Sequence, residues 1–241
     1  MNYEEVVRFW DLKNVGKYEQ LDRKGRFFVD YSPDGKRLLS CANEAVAVVD
    51  RKHPSVALAE LDVGGDRGPY FARFSEDGKR ILLTVPLSRK SDVGRDGHQL
   101  MEWDPEGKRL TKSEVFKTGW QPWFLEGVDA DKVLVMSAVA AVVWNPQTNK
   151  LTRFELGTRG MGIPSMERDS KLIAVPGEDN DLILLDGRLM KQLTFKTTTY
   201  AWSAGFSSKH RTLVIGYGNP FAPGPANDGD VGFRKIAALP K

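Results

Sequence analysis

A seven-residue motif occurs twice in almost the same form. Tyr31-Ser32-Pro33-Asp34-Gly35-Lys36-Arg37 returns 43 residues later as Phe74-Ser75-Glu76-Asp77-Gly78-Lys79-Arg80, and apolar runs of strand length flank each copy. A repeat of this period is the mark of stacked or radial architectures, which restricts the fold before any other feature is considered. The residue types explain the recurrence. An aromatic ends one strand, Ser and Pro enter a type I turn, Asp tolerates the bend, Gly takes the left-handed position, and Lys-Arg opens the return strand. Weaker versions follow at Phe124 to Lys132, at Met166-Glu167-Arg168-Asp169-Ser170-Lys171, and at Phe206-Ser207-Ser208-Lys209-His210-Arg211. Five hairpins are expected.

A second element repeats in phase with the first. Apolar runs end at Trp10-Asp11, Val49-Asp50, Trp103-Asp104, Trp144-Asn145 and Leu185-Asp186, each before a turn. Asp104-Pro105-Glu106-Gly107-Lys108 and Asn145-Pro146-Gln147-Thr148-Asn149-Lys150 are the clearest. Asp or Asn opens the bend, Pro presets its backbone angle, and a further strand follows. Each unit therefore has four antiparallel strands, and the fold class is all-β.

With its Ser-Pro-Asp-Gly-Lys hairpins and the pairs Trp10-Asp11 and Trp103-Asp104, with Trp144-Asn145 close, the chain resembles the WD-repeat β-propeller family. The resemblance implies four-stranded blades around a channel and extends over nearly the whole chain. It is a degenerate member by its motifs. No Gly-His pair precedes a first strand, since Gly97-His98 leads into a third strand, and Val49 and Leu185 replace the Trp in two units. The family's buried His-Ser-Asp-Trp network is therefore not carried over to any blade.

The reading is one propeller domain over 1–241, with a partial blade at 1–25 and blades at about 26–66, 67–118, 119–159, 160–198 and 199–241. The last unit has three strands, and a fourth strand near residues 17–21 is available to complete it. That leaves the strand from Val6 to Leu12 without a seat, and an unpaired apolar edge invites aggregation. The expectation is either a strained ring of five blades with an added strand or, preferably, the C-terminal part of a larger propeller.

Lys and Arg exceed Asp and Glu by only 3 over 241 residues, and the excess is spread over both halves. Nucleic-acid and membrane-surface binding need basic clustering, so neither partner is expected. The single cysteine, Cys41, lies in an apolar run and reads as a buried small hydrophobe. The N-terminus, with Glu4, Glu5 and Arg8, has no apolar core of a secretion signal, and no run is long enough to span a membrane. The expected location is cytoplasmic.

Two insertions interrupt the regular spacing. Residues 87–97, with Arg89, Lys90 and Arg95, join a second strand to a third where the first unit uses only Asn43-Glu44. Residues 218–229, with Phe221, occupy the same position in the last unit. In a propeller both emerge on one face, and long loops on a rigid scaffold collect binding residues. Four residues before each hairpin aromatic stand Phe27, Tyr70, Trp120, Gly162 and Trp202, with Arg26, Arg67, Trp123, Arg159 and Tyr200 nearby. A rim of Trp, Tyr and Arg has the composition of protein-binding hot spots, although core packing accounts for the aromatics equally well.

Catalytic readings find less support. His53, His98 and His210 stand in separate elements without ligand spacing, no Gly-x-Ser-x-Gly elbow occurs, and Gly64-Gly65-Asp66-Arg67-Gly68 has no helix after it to hold a phosphate. A glycosidase-type site needs two converging carboxylates, and the first strands offer only Asp30 clearly. The expectation is a non-catalytic protein-interaction scaffold with no cofactor and no metal. The alternative is a propeller that binds or hydrolyses a small ligand in its channel, or a fragment with no independent activity.

Overall fold

The alternation of turn residues with apolar runs produces strands throughout. The computed structural model describes residues 7–10, 13–14, 16–21, 29–42, 45–54, 56–64, 71–87, 97–117, 119, 122, 124–129, 131–156, 162–167, 170–177, 180–189, 191–197, 201–207, 212–217 and 231–235. Among these residues every regular element is a β-strand. β1 (Val7–Trp10) and β2 (Tyr18–Leu21) form a two-stranded sheet. The first four-stranded sheet runs β3 (Val29–Tyr31), β4 (Arg37–Ala42), β5 (Ala45–Asp50), β6 (Ala57–Asp62) in chain order. The second contains β7 (Phe71–Phe74), β8 (Ile81–Pro86), β9 (Gly97–Asp104) and β10 (Arg109–Lys112), with β11 (Phe116–Lys117) also paired to β9. The third is β12 (Phe124–Asp129), β13 (Lys132–Met136), β14 (Ala140–Asn145), β15 (Lys150–Glu155), and the fourth is β16 (Ser165–Glu167), β17 (Leu172–Pro176), β18 (Asp181–Leu185), β19 (Lys191–Lys196). A three-stranded sheet of β20 (Ala201–Ser207), β21 (Thr212–Tyr217) and β22 (Val231–Lys235) ends the series. No helix among the described residues is long and apolar enough to cross a membrane.

Residue type grades across each sheet. The second strands are near-continuous apolar runs, and β8 and β17 are buried at every position. A strand of this kind is covered on both faces. The fourth strands are more exposed: β6 exposes every second residue and β15 four of its six, as befits edges that charged side chains keep solvated.

The chain divides into two compact units, one of Met1–Lys117, Asp129–Val133 and Trp144–Leu151, the other of Thr118–Val128, Leu134–Val143 and Thr152–Lys241. In the first unit, Leu39, Cys41, Val46 and Val48 of one sheet pack with Phe74, Ile81, Leu83, Met101 and Trp103 of the next, while Leu38, Ala47 and Val49 form a core on the opposite face. Cys41 is fully buried, and burial pushes its thiol pKa up to about 12. In the second unit the fourth sheet has a core on each face. Ile173, Val175, Ile183 and Leu185 meet Phe124, Leu134 and Met136, and Ala174, Leu182 and Leu184 meet Ala201, Leu213 and Ile215. The period-2 alternation of β17 and β18 thus divides one sheet between two neighbours.

The two copies of the heptad have the same hydrogen bonds. Ser32 Oγ donates to Asp34 Oδ1 at 2.6 Å and accepts the Arg37 N–H at 2.9 Å; Ser75 Oγ does so with Asp77 Oδ1 at 2.6 Å and the Arg80 N–H at 3.0 Å. The Gly35 and Gly78 N–H groups close type I turns on Ser32 O and Ser75 O, each at 2.8 Å, with φ of 68° and 69°. The first hairpin is also fastened to the second sheet. Asp30 Oδ2 accepts the Phe74 N–H at 3.0 Å, Arg37 Nη2 donates to Gly78 O at 2.8 Å, and the Arg37 guanidinium lies 5.6 Å from the centre of the Phe74 ring.

Replacing Ser75 with alanine leaves the Arg80 N–H and the Asp77 carboxylate without a shared partner in a turn where Ser75 is 5% exposed, so about 1–2 kcal/mol of stability is expected to go. Partial burial pulls the Asp77 pKa up, but the Ser75 hydroxyl, the Lys79 N–H and the charges of Arg80 and Lys79 outweigh it and hold it below 3.8. A depressed acid stabilises the fold above its unfolded pKa and loses that contribution as pH falls through its folded value. The gap between wild type and Ser75→Ala, measured by urea unfolding, therefore narrows below pH 3.8. A gap that stays constant down to pH 2 would argue against this assignment.

The Trp-Asp positions have one physical explanation. Val49, Trp103, Trp144 and Leu185 are all buried, so the position is an apolar seat that several side chains fill. The next residue caps the turn. Asp50 Oδ1 accepts the Lys52 N–H at 2.7 Å, Asp104 Oδ1 the Gly107 N–H at 2.7 Å, Asn145 Oδ1 the Gln147 N–H at 2.9 Å, and Asp186 Oδ1 the Arg188 N–H at 2.9 Å.

Two expectations need correction. The second sheet has a fifth strand because its outer strand is bulged. Lys112 stands opposite Met101 but Phe116 opposite His98, so one extra residue is accommodated in the segment around Ser113. The buried Ser113 holds the irregularity: its Oγ accepts the Leu100 N–H at 3.0 Å and donates to Glu114 O at 2.7 Å. The third hairpin lies later than its sequence suggests. Phe124 begins β12 and does not end it; the strand runs on to Asp129 because Leu125, Glu126 and Val128 are buried.

Candidate functional site

The best-defined part of the expected rim is where β20 meets the entry to the fourth sheet. Ile163 and Ser203 form a parallel bridge, and the Ile163 N–H donates to Trp202 O at 2.8 Å. The register of β20 slips between Ala201 and Ser203, so Trp202 occupies a bulge. A bulge turns a side chain away from the regular alternation. Trp202 is half-buried and Ile163 is 48% exposed, which makes this an aromatic and aliphatic edge.

Gly162 makes the approach possible. A Cβ there would strike the Trp202 carbonyl oxygen and lie 2.7 Å from Pro176 Cβ. Glycine therefore interrupts the series Phe27, Tyr70, Trp120 and Trp202 because another backbone occupies the space.

Of the residues expected to bind partners, Trp202 is described. Arg26, Arg67, Tyr70, Arg89, Lys90, Arg95, Trp120, Trp123, Arg159, Tyr200 and Phe221 lie outside the described residues, as do Phe27 and His210. Ile163 was missed by sequence reasoning, and the only signal for it was the glycine that precedes it.

Three of the sheet carboxylates, Asp30, Glu102 and Glu167, have structural duties. Asp30 accepts the Phe74 N–H. Glu102 is pushed up by burial, against the pull of Arg80, whose Nη1 lies 2.9 Å from its Oε2. Glu167 Oε2 accepts both the N–H and the hydroxyl of Ser170. Glu126, 5% exposed in β12, is a first-strand carboxylate that the misplaced hairpin had assigned to a turn. His98 is buried beside Phe116, with ring centroids 6.1 Å apart, while His53 is exposed in the turn after β5. Among the described residues no three His, Cys, Asp or Glu side chains stand together as a metal site. No family model matches the chain, and no curated protein matches it.

Proposed function

We propose that the chain is a WD-like β-propeller, whole or in part, that acts in the cytoplasm as a non-catalytic platform for protein partners. The observation that carries this reading is the packing of consecutive sheets face to face, with the entry to β16 beside β20 at Ile163 and Ser203 and β3 beside β7 at Asp30 and Phe74. A sheet between two neighbours, with its first strand beside the first strand of the next, is the unit from which a propeller is made. The binding face in this reading is the one with the two long insertions. Arg89, Lys90, Arg95 and Phe221 come from those loops, and Trp120, Trp202, Arg26, Arg67, Tyr70, Trp123, Arg159 and Tyr200 from the adjoining rim. Carboxylates engaged with backbone amides or with arginine favour a platform over an acid-base site.

The Trp202 side chain can be removed without losing the bond that its carbonyl makes to Ile163, so binding and folding are separable there. Trp202→Ala is expected to lose captured partners from lysate while costing no more than about 2 kcal/mol in urea unfolding. Unchanged capture with a larger stability loss would assign the indole to packing and remove it from the proposed face.

A further inference from the structure

A second candidate site lies at the hairpin end of the first sheet. The turn from Ser32 to Lys36 and the turn that follows Asp50 are tied together by the Arg51 N–H, which donates to Lys36 O at 2.9 Å. Between them is a cleft of about 720 Å³ lined by Gly35, Lys36, Asp50, Arg51, Lys52 and Pro54. Lys36, Arg51 and Lys52 are all exposed.

The charge in this cleft is unbalanced. Among the described residues Asp50 is its one acidic lining residue, and its Oδ1 accepts the N–H groups of Lys52 at 2.7 Å and His53 at 3.3 Å. Asp34, beside Gly35, is engaged in the same manner by Ser32 Oγ and the Lys36 N–H. Among the described residues no carboxylate is in ion-pair distance of Lys36, Arg51 or Lys52. The Arg51 guanidinium is 5.7 Å from the centre of the Tyr31 ring, which preorients it, and Tyr31 is itself 40% exposed.

We propose that this cleft binds an acidic peptide segment of a partner protein, with one carboxylate taken by Arg51 and neighbouring carboxylates by Lys36 and Lys52. The proposal rests on the scaffold reading above and adds to it the chemistry of one partner. Arginine presents a planar fork that matches a carboxylate, and two flanking lysines favour a run of acidic residues over a single one. The volume exceeds what one ion fills and suits several side chains. Complementary charge of this kind acts over about 10 Å at 0.1 M salt and is lost near 1 M.

A fluorescein-labelled peptide rich in Asp and Glu, and the same peptide with Asn and Gln in their place, test the idea by anisotropy. The acidic peptide is expected to bind at 50 mM salt at least about tenfold more tightly than the neutral one, and to be released at high salt. Arg51→Gln combined with Lys36→Gln is expected to weaken it by about tenfold or more. Both changes spare the backbone bond between the turns, and an unchanged melting temperature verifies the fold. Lys112→Gln combined with Lys150→Gln removes the same charge from exposed outer strands and is expected to leave binding unaltered. Equal affinity for both peptides, or equal losses in the two double variants, would overturn the proposal. The peptide is synthetic, so this outcome is independent of partner capture through Trp202.

Discussion

Trp144→Ala is expected to remove about 3–5 kcal/mol of stability and to leave a chain that is barely folded at 37 °C. Trp144 is the largest of the fully buried side chains, with no exposed surface. Burying an indole of about 200 Å² contributes on the order of 5 kcal/mol as an upper figure, and truncation adds the cost of a cavity. The indole also secures the following turn. Its Nε1–H donates to Asn149 Oδ1 at 2.9 Å, and Asn149 has a φ of 53°, which asparagine accepts more readily than most residues. Trp144→Phe keeps most of the apolar volume and gives up only this bond. Its expected cost is about 1–2 kcal/mol, because the exposed Asn149 acceptor turns to water. Urea midpoints for both variants decide the matter: an alanine variant that loses less than about 2 kcal/mol would mean that the seat collapses around the gap.

Gly162→Ala is expected to cost about 3 kcal/mol, far more than an exposed Gly→Ala change. The added Cβ would meet the Trp202 carbonyl and Pro176 Cβ, and a backbone atom cannot swing aside as the end of a side chain can. Relief requires the segment of Gly162 and Ile163 to move away from β20, which breaks the 2.8 Å bond from the Ile163 N–H to Trp202 O. Amide exchange at Ile163 should accelerate together with the fall in melting temperature. Gly205→Ala, in the facing strand β20, where a Cβ meets nothing within 4 Å, is the control and is expected to stay within about 1 kcal/mol of wild type. A mild effect at Gly162 would show that the two segments are not held as close as the packing indicates.

The turn chemistry was legible because it is local. Ser, Pro, Asp and Gly at fixed offsets determine their own hydrogen bonds, so Ser32 and Ser75 build the same turn 43 residues apart. The third hairpin was misread for the same reason. Phe124 to Asp129 has turn-forming residues in Glu126-Gly127, but the burial of Leu125, Glu126 and Val128 overrides that preference. The basic cleft could not be read at all, since Lys36 and Arg51 come together only through the pairing of β4 with β5.

Sequence alone thus determined most of the strands, their antiparallel order within a unit and the residues that cap the Asp and Asn turns, since these depend on interactions a few residues apart. Tertiary structure decided which face of each strand meets which neighbour, why glycine stands at 162, and which charges share a surface. Those outcomes depend on close approach between segments distant in the chain, where excluded volume and burial outweigh local preference.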